Sequence, residues 1–423
     1  MAKETGHGEE AVLVGTAGDG REETAGAALE ELKELAVSAG ARVAAVLLRR
    51  SQRPDPAFFL GPGKIEELRQ LVWEHQADLV IFDDELTPVQ AGNLEELLAT
   101  KIVDRTGLIL DIFAQRAQTR EAKLQVEKAQ LEYLFPRLSG KGKALSRLGG
   151  GIGTRGPGET KLETDRRKLR QRMAIVNSRL KKVRAQRHLQ RIPREKKAWP
   201  LLALVGYTSA GKSTLFRALT GTEVEVSERL FSTLDPALRR VVLPNRQEVF
   251  LVDTVGFIRK LPHQLVEAFR ATLEEASHAD LLLHVVNLAA PNVDEEIAAV
   301  IEVLRQLGIE NKPRITVLNK KDLATNEFTI ARLERIYPET VAISALTGEG
   351  LPQVLAKIVD LLSGRVKRGK FFLPYKEGDL LALVHEKGRI LKEEYLPAGV
   401  ALDVELPAVW FNRLEKYLAR RRA

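Results

Sequence analysis

Residues 201–221 read LLALVGYTSAGKSTLFRALTG. Leu201 to Val205 is an unbroken apolar run of the kind that forms a strand buried on both faces. STLFRALTG reads as the helix that follows it. Between them stands G-x-x-x-x-G-K-S, made of Gly206, Gly211, Lys212 and Ser213. A strand entering a helix through such a loop belongs to an α/β sheet that binds phosphate. Backbone N–H groups of the loop, Tyr207, Thr208, Ser209 and Ala210, would surround the phosphates together with the helix start at Thr214. The Lys212 ammonium would bridge the β- and γ-phosphates, and the Ser213 hydroxyl would ligate Mg²⁺.

Three further stretches follow in the order such a domain requires. VFLVDTVGF places Asp253 at a strand end and Gly256 three residues on. There the carboxylate holds Mg²⁺ through water, and the glycine amide senses the γ-phosphate. RITVLNKKD ends a strand in N-K-x-D, with Asn319, Lys320 and Asp322. A carboxylate accepts paired hydrogen bonds from N1–H and N2–H₂ of guanine, a donor pair that adenine lacks, so Asp322 selects GTP. VAISAL matches the element whose backbone meets guanine O6, here Ser344, Ala345 and Leu346. The set resembles a TRAFAC-class GTPase domain. That resemblance implies a threonine that covers Mg²⁺ and the γ-phosphate in the GTP state. Thr233, with Phe231 and Ser232 beside it in RLFSTLDP, lies between the phosphate loop and Asp253 and is expected to fill that role. Lys212, Thr233 and Gly256 are thus the expected catalytic residues. Phe257 follows Gly256 where Ras-like proteins carry a water-orienting glutamine, and a phenyl ring cannot hydrogen-bond water. Hydrolysis should therefore be slow until a partner intervenes.

The rest of the chain divides by pattern. Residues 1–113 alternate apolar runs with amphipathic ones: strands are expected at 11–15, 42–48, 77–84 and 106–113, with helices between, as in a parallel α/β subdomain. Residues 114–197 read as a helical hairpin. Its first arm is expected from about Ala114 to Phe135, with Ala117, Leu124, Leu131 and Leu138 seven apart. In the second arm Leu162, Leu169, Met173, Val176, Leu180 and Val183 keep heptad spacing, and the prolines of 191–200 are expected to end it. The tip, about 139–159, contains RLGGGIGTRGPGETK. Residues 198–364 form the GTPase domain, and 365–423 a small α+β domain to which no chemistry is assigned.

Charge is distributed unevenly. The chain carries +8, yet Lys141 to Lys197 hold 19 Lys or Arg against 4 Asp or Glu, a net +15 that leaves about −7 elsewhere. So one-sided an excess points to nucleic acid rather than to a merely solvated helix face.

Taken whole, the layout is similar to the HflX family of ribosome-associated GTPases. The resemblance rests on VIFDDELTPVQAGNLEELL, VDRTGLILDIFAQRAQTREAKLQVEKAQLEYLFPRL, GGIGTRGPGETKLE, GYTSAGKSTLF, LFSTLDP and DTVGFIRKLP, over roughly residues 78 to 365. It implies binding to the large ribosomal subunit and to 70S ribosomes. It also implies splitting or rescue of stalled or idle ribosomes under stress, with GTPase activity stimulated by the ribosome. Under it the glycine-rich tip lies against ribosomal RNA, with Arg147, Arg155 and Lys161 meeting phosphates or stacking on bases. A plain linker, or a second nucleotide site in the N-terminal domain, are the other readings of that region. The family usually has Asn where Ser209 stands, and that asparagine is linked to potassium coordination in related GTPases, so potassium is not carried over.

Other classes are excluded or left aside. With no cysteine, thiol catalysis and disulfides are ruled out. The seven histidines form no ligand pattern, no apolar run reaches bilayer length, and MAKETGHGEE is not a secretory signal. A cytoplasmic monomer with no membrane partner is the expectation. A GTPase of subunit assembly, or an RNA-binding adaptor whose nucleotide only sets conformation, remain as alternative functions.

Overall fold

A computed structural model describes residues 8–16, 22–49, 53–146, 157–196, 199–221, 230–231, 237–259, 275–323, 327–363 and 366–419. The described elements form three sheets and a helical hairpin.

The first sheet has the order β2-β1-β3-β4 and is wholly parallel. Its strands are β1 (Glu10–Thr16), β2 (Arg42–Arg49), β3 (Leu79–Phe82) and β4 (Lys101–Asp104). The helices α1 (Glu22–Ala39), α2 (Pro62–Glu74) and α3 (Pro88–Leu98) connect them. Helices cover both faces, so β3 is buried along its whole length and its sequence, LVIF, is continuously apolar. Thr87 caps α3 in a reciprocal box with Gln90.

The expected strand at 106–113 is instead a helix, α4 (Arg105–Arg116), started by Asp104, whose carboxylate accepts the Gly107 N–H at 2.9 Å. The strand beside it is the short KIVD segment, β4. An apolar run of this length fits a buried helix and a buried strand equally well by period. Burial of α4 nearly all round, from Arg105 to Leu110 and at Ile112 and Phe113, is what removed the amphipathic signal.

The hairpin also departs from expectation at its ends. Its first arm, α5 (Arg120–Ser146), begins after a break at 117–119 and continues through Pro136. Its second, α6 (Pro157–Lys196), passes Pro193 rather than stopping there. A proline inside a helix removes one hydrogen bond and kinks the helix without obliging it to end. The arms are antiparallel, since Glu127 pairs with Arg172 while Phe135 lies under Arg166 and Arg170. Leu124, Leu131, Val176 and Leu180 form the buried seam. The tip residues Arg147 and Arg155 lie outside the described residues, and Lys161 is seen only as helix backbone.

The second sheet has the order β10-β9-β8-β5-β7-β6. It comprises β5 (Leu201–Gly206), β6 (Ala237–Val242), β7 (Glu248–Asp253), β8 (Leu281–Asn287), β9 (Arg314–Asn319) and β10 (Thr340–Ala342). All pairs are parallel except the edge strand β6. Helices α7 (Lys212–Thr220), α8 (Val293–Gln306), α9 (Glu327–Ile336) and α10 (Leu351–Ser363) accompany it. The third sheet, β11 (Val366–Pro374), β12 (Arg389–Leu396) and β13 (Gly399–Pro407), is antiparallel in the order β11-β13-β12. Together with α11 (Gly378–Lys387) and α12 (Ala408–Leu414) it encloses its own core around Phe371, Val384 and Leu402.

A single apolar cluster joins the first two sheets. It runs from Leu13, Leu32 and Leu35 through Ile109 and Phe113 to Phe231, Val205 and Leu304. The N-terminal unit therefore packs on the face of the second sheet opposite α7, whose Leu215 and Phe216 lie in a separate cluster with Leu202 and Leu204. Among the described residues no helix is long and apolar enough to cross a membrane.

Candidate nucleotide site

The phosphate loop lies at the end of β5, the strand between β8 and β7. Gly211 takes φ 89°, and a Cβ built there would stand 2.2 Å from Asn319 Nδ2. Only glycine fits so close an approach in that conformation. Ser209 is exposed with φ 57°, a left-handed conformation that asparagine tolerates better than serine. Thr208 and Ala210 are buried, and Thr214 is half-buried at the start of α7.

Lys212 is buried beneath the loop and donates to the carbonyls of Gly206 at 3.1 Å and Tyr207 at 2.7 Å. Burial lowers its ammonium to about 8, partly opposed by the carboxylates of Asp253 and Glu296. Ser213 Oγ donates to Asp253 Oδ2 at 2.9 Å, and both residues are buried. A hydroxyl and a carboxylate side by side are hard oxygen donors of the kind Mg²⁺ takes. Among the described residues no cluster of three or more His, Cys, Asp or Glu could hold a metal. The donor set therefore fits an ion completed by phosphate oxygens and water rather than by a protein cage.

The strand carrying Asp253 continues alongside the loop. Phe257 N–H donates to the Gly206 carbonyl at 3.1 Å, and Thr208 N–H donates to the Phe257 carbonyl at 2.7 Å. Gly256 is pressed against the loop: a Cβ there would lie 2.9 Å from Thr208 Cγ2 and 3.0 Å from Lys212 Nζ. The Phe257 ring is buried at 1% exposure.

Asn319 ties the base-recognition segments to the phosphate loop. Its Nδ2 donates to the Ala210 carbonyl at 2.9 Å, and its Oδ1 accepts the Ala345 N–H at 2.9 Å. Ser344 is fully buried and its Oγ accepts the Thr347 N–H at 3.2 Å. Lys320 takes φ 63°. Asp322 and Leu346 are exposed, leaving their side chains open to a base. Phe231 is packed in the core, its ring 4.6 Å from that of Phe113. Ser232 and Thr233 lie outside the described residues.

Sequence reasoning missed the contribution of the N-terminal unit. Tyr207 O–H donates to Glu31 Oε2 at 2.7 Å, and the Tyr207 hydroxyl oxygen accepts the Arg259 N–H at 2.9 Å. Arg105, at 2% exposure, pairs with Glu31 and with Asp83 at 2.6 Å, and donates to the Arg259 carbonyl at 3.2 Å. Leu230 N–H donates to Ser38 Oγ at 3.1 Å. The available signals were a tyrosine inside a phosphate loop, whose buried hydroxyl needs a partner, and an arginine leading an apolar run. Glu296 stands near this contact. Burial foremost, then the charge of Glu31, raises its carboxyl to about 7. With Glu34, Asp294 and Glu295 it lines an acidic cavity of about 1190 Å³ beside Thr208. Like charge disfavours a triphosphate against that acidic wall, and the opposite side of the same cavity is formed by Tyr207, Thr208 and Ser209 of the loop.

Known proteins are similar to this chain over most of its length. Residues 26–114 match the family described as GTP-binding GTPase N-terminal, and 116–194 its middle region. Residues 201–320 match the 50S ribosome-binding GTPase family, and 331–422 the HflX C-terminal domain. The chain is 49% identical to the GTPase HflX of Caldanaerobacter subterraneus subsp. tengcongensis, over 92% of this chain and 90% of that protein. It is 46% identical to the GTPase HflX of Escherichia coli strain K12, over 92% of each. A crystal structure of a GTP-binding protein from Sulfolobus solfataricus in complex with GDP covers 84% of this chain and 99% of that one, with 25% identity and a TM-score of 0.45. On these family models and on the two HflX relatives, the chain belongs to the HflX family of GTPases and is a GTP-hydrolysing enzyme.

Proposed function

We propose that this GTPase binds the large ribosomal subunit and uses GTP to separate stalled or idle 70S ribosomes under stress. The observation that carries the reading is the coupling of a hairpin region with net charge +15 to a complete guanine-nucleotide motif set in one chain. The match of residues 201–320 to a family described as 50S ribosome-binding supports it.

In this reading the Lys212 ammonium exchanges two backbone carbonyls for β- and γ-phosphate oxygens. Ser213, and Asp253 through water, would hold Mg²⁺, which would supply charge neutralisation on the phosphates, and Thr233 would complete that side in the GTP state. Gly256 donates its N–H to the γ-phosphate. Asn319 keeps loop and base segments in register, while Asp322 pairs with guanine beside Lys320, Ser344, Ala345 and Leu346. With the Phe257 ring buried, no side chain at that position orients the attacking water. The ribosome supplies or positions the missing group, which makes hydrolysis conditional on docking. The basic hairpin adds salt-sensitive affinity through counterion release, with Arg147, Arg155 and Lys161 at RNA. Docking that excludes the small subunit then shifts the 70S equilibrium by differential affinity.

The test is steady-state GTP hydrolysis alone and with purified large subunits, small subunits and 70S ribosomes. Strong stimulation by large subunits and 70S, and none by small subunits, is expected. Equal rates in all four conditions would refute the partner. Arg155→Ala should leave GTP affinity unchanged and weaken splitting of 70S followed by light scattering.

A further inference from the structure

The geometry points to a docking groove for a short extended peptide along the free edge of β4. The peptide adds to the first sheet as a further strand, with an apolar side chain towards Gly92 and a cationic one towards Asp111. The groove draws on none of the residues of the nucleotide site.

β4 ends the first sheet on one side: it pairs with β3, and among the described residues no strand lies beyond it. A strand paired on one side only directs alternate peptide groups outwards, where they can pair with another chain. Here they open into a cavity of about 470 Å³, walled by α3 and α4 and roofed by α5. Ile102 and Val103 both line it although they belong to the cores on opposite faces of the sheet, which puts the cavity at the strand edge itself. Its volume lies within the roughly 300–1,000 Å³ of ligand pockets. The roof is bolted down at one end. Tyr133 O–H donates to Asp104 Oδ1 at 2.8 Å, and Arg137 donates to Asp104 and, at 3.0 Å, to the Leu86 carbonyl. The groove therefore exists before anything enters it, which lowers the cost of binding.

Two features of the walls serve no contact in the free protein. Gly92 lies inside α3, where glycine weakens a helix relative to alanine. The fold does not demand it: its φ is not positive, and a Cβ there would meet nothing within 4 Å. What it leaves is room on the α3 side of the cavity. On the α4 side, the Asp111 carboxylate makes no ion pair or hydrogen bond among the described residues, and neither does the Gln130 amide in the roof. The cations of the lining are already matched, Lys101 by Glu9 at 3.8 Å and Arg137 by Asp104, so the charge still to be met is negative. Side chains of an added strand alternate between the two faces of the sheet, so one residue reaches the space at Gly92 and the next reaches Asp111. The chemistry that fits is an extended segment alternating apolar residues with Lys or Arg. Gln130 is free to bond a peptide group of that segment, and Leu134, 48% exposed at the roof, offers it further apolar surface.

The test uses the full chain and a dye-labelled Val-Lys-Val-Lys-Val amide, followed by fluorescence anisotropy. Saturable binding is expected. The same peptide N-methylated at alternate peptide groups keeps its charge and apolar area but loses the edge hydrogen bonds, and should bind about tenfold more weakly or worse. Gly92→Leu fills the space at α3 and should abolish binding; because leucine is the better helix former, it should also raise the urea midpoint of the free protein. Asp111→Asn, an exposed and conservative change, should weaken binding by about two- to fivefold. Amide hydrogen exchange needs no substitution: the outward N–H of the Ile102–Val103 pair should exchange more slowly with peptide bound. Absence of saturable binding by the unmodified protein would overturn the groove. So would undiminished binding after Gly92→Leu or N-methylation, or a lower urea midpoint for Gly92→Leu, which would show that the glycine serves packing instead.

Discussion

Replacing Asn319 by alanine tests the site at its most connected side chain. The amide makes two hydrogen bonds, to the Ala210 carbonyl and from the Ala345 N–H, each 2.9 Å and each inside the protein. Each is worth about 1 kcal/mol net, and the two backbone groups left behind are themselves buried, at about 1–3 kcal/mol apiece if water does not reach them. With partial relaxation the total is about 2–4 kcal/mol. That amount appears in one of two places. If the free protein keeps the loop in its present form, stability falls by the full amount. If the loop relaxes, stability falls less and the remainder is exacted when nucleotide restores the geometry, up to roughly 30- to 700-fold in affinity. Urea unfolding without nucleotide and titration with fluorescent GDP, done on the same variant, should therefore sum to about 2–4 kcal/mol. A stability change under about 0.5 kcal/mol together with less than twofold in affinity would refute the claim that Asn319 joins the phosphate and base segments.

Three other outcomes follow from the same geometry. Lys212 without nucleotide titrates near 8, and phosphates favour its charged form, so its bound value is higher than its free one. Binding then takes up a proton between the two values, and GTP affinity should fall as pH rises through about 8, approaching tenfold per unit; Glu296, near 7, pushes the same way on ionising, and a profile flat from pH 7 to 9 would contradict the burial of Lys212. Leu180→Ala opens the hairpin seam shared with Leu124, Leu131 and Val176 and should cost about 2–5 kcal/mol by urea unfolding while leaving GDP affinity unchanged. Asp322→Asn should weaken GTP and improve binding of a xanthine nucleotide, and unchanged GTP affinity would disprove its assignment to the base.

The nucleotide motifs were readable because each is a local event at a strand end. LLALVG followed by a glycine loop, LVD before Gly256, and LN before Lys320 state their geometry within a few residues. The seam of the hairpin was readable for the same reason: Leu124 and Leu131 repeat along one face of α5, and Val176 and Leu180 along one face of α6. What escaped was set by surfaces meeting from far apart. TGLILDIF looks like a strand because burial on nearly every side removed its amphipathic period, and part of what covers it, α1 and Phe231, lies far away in the chain. Glu31 stands on a helix as one glutamate among several, and nothing in ETAGAALEELKEL says which of them reaches Tyr207, 176 residues away. Pro136 and Pro193 misled in the opposite direction, since a proline marks a probable helix boundary and here marks none.

The shared core between the first two sheets also has a consequence in time. Leu13 and Leu32 belong to the same cluster as Val252, Leu304 and Ile309. A chain made from its N-terminus at about 5–20 residues per second completes β1 to β4 tens of seconds before the last of those partners emerges. During that interval one face of the first sheet, with α1 and α4 on it, lacks the surface that will cover it. The other face, closed by α2 and α3 around Leu60, Leu68 and Leu94, is finished early. The nascent protein is thus half-complete for much of its synthesis, presenting an apolar wall that nascent-chain chaperones would recognise.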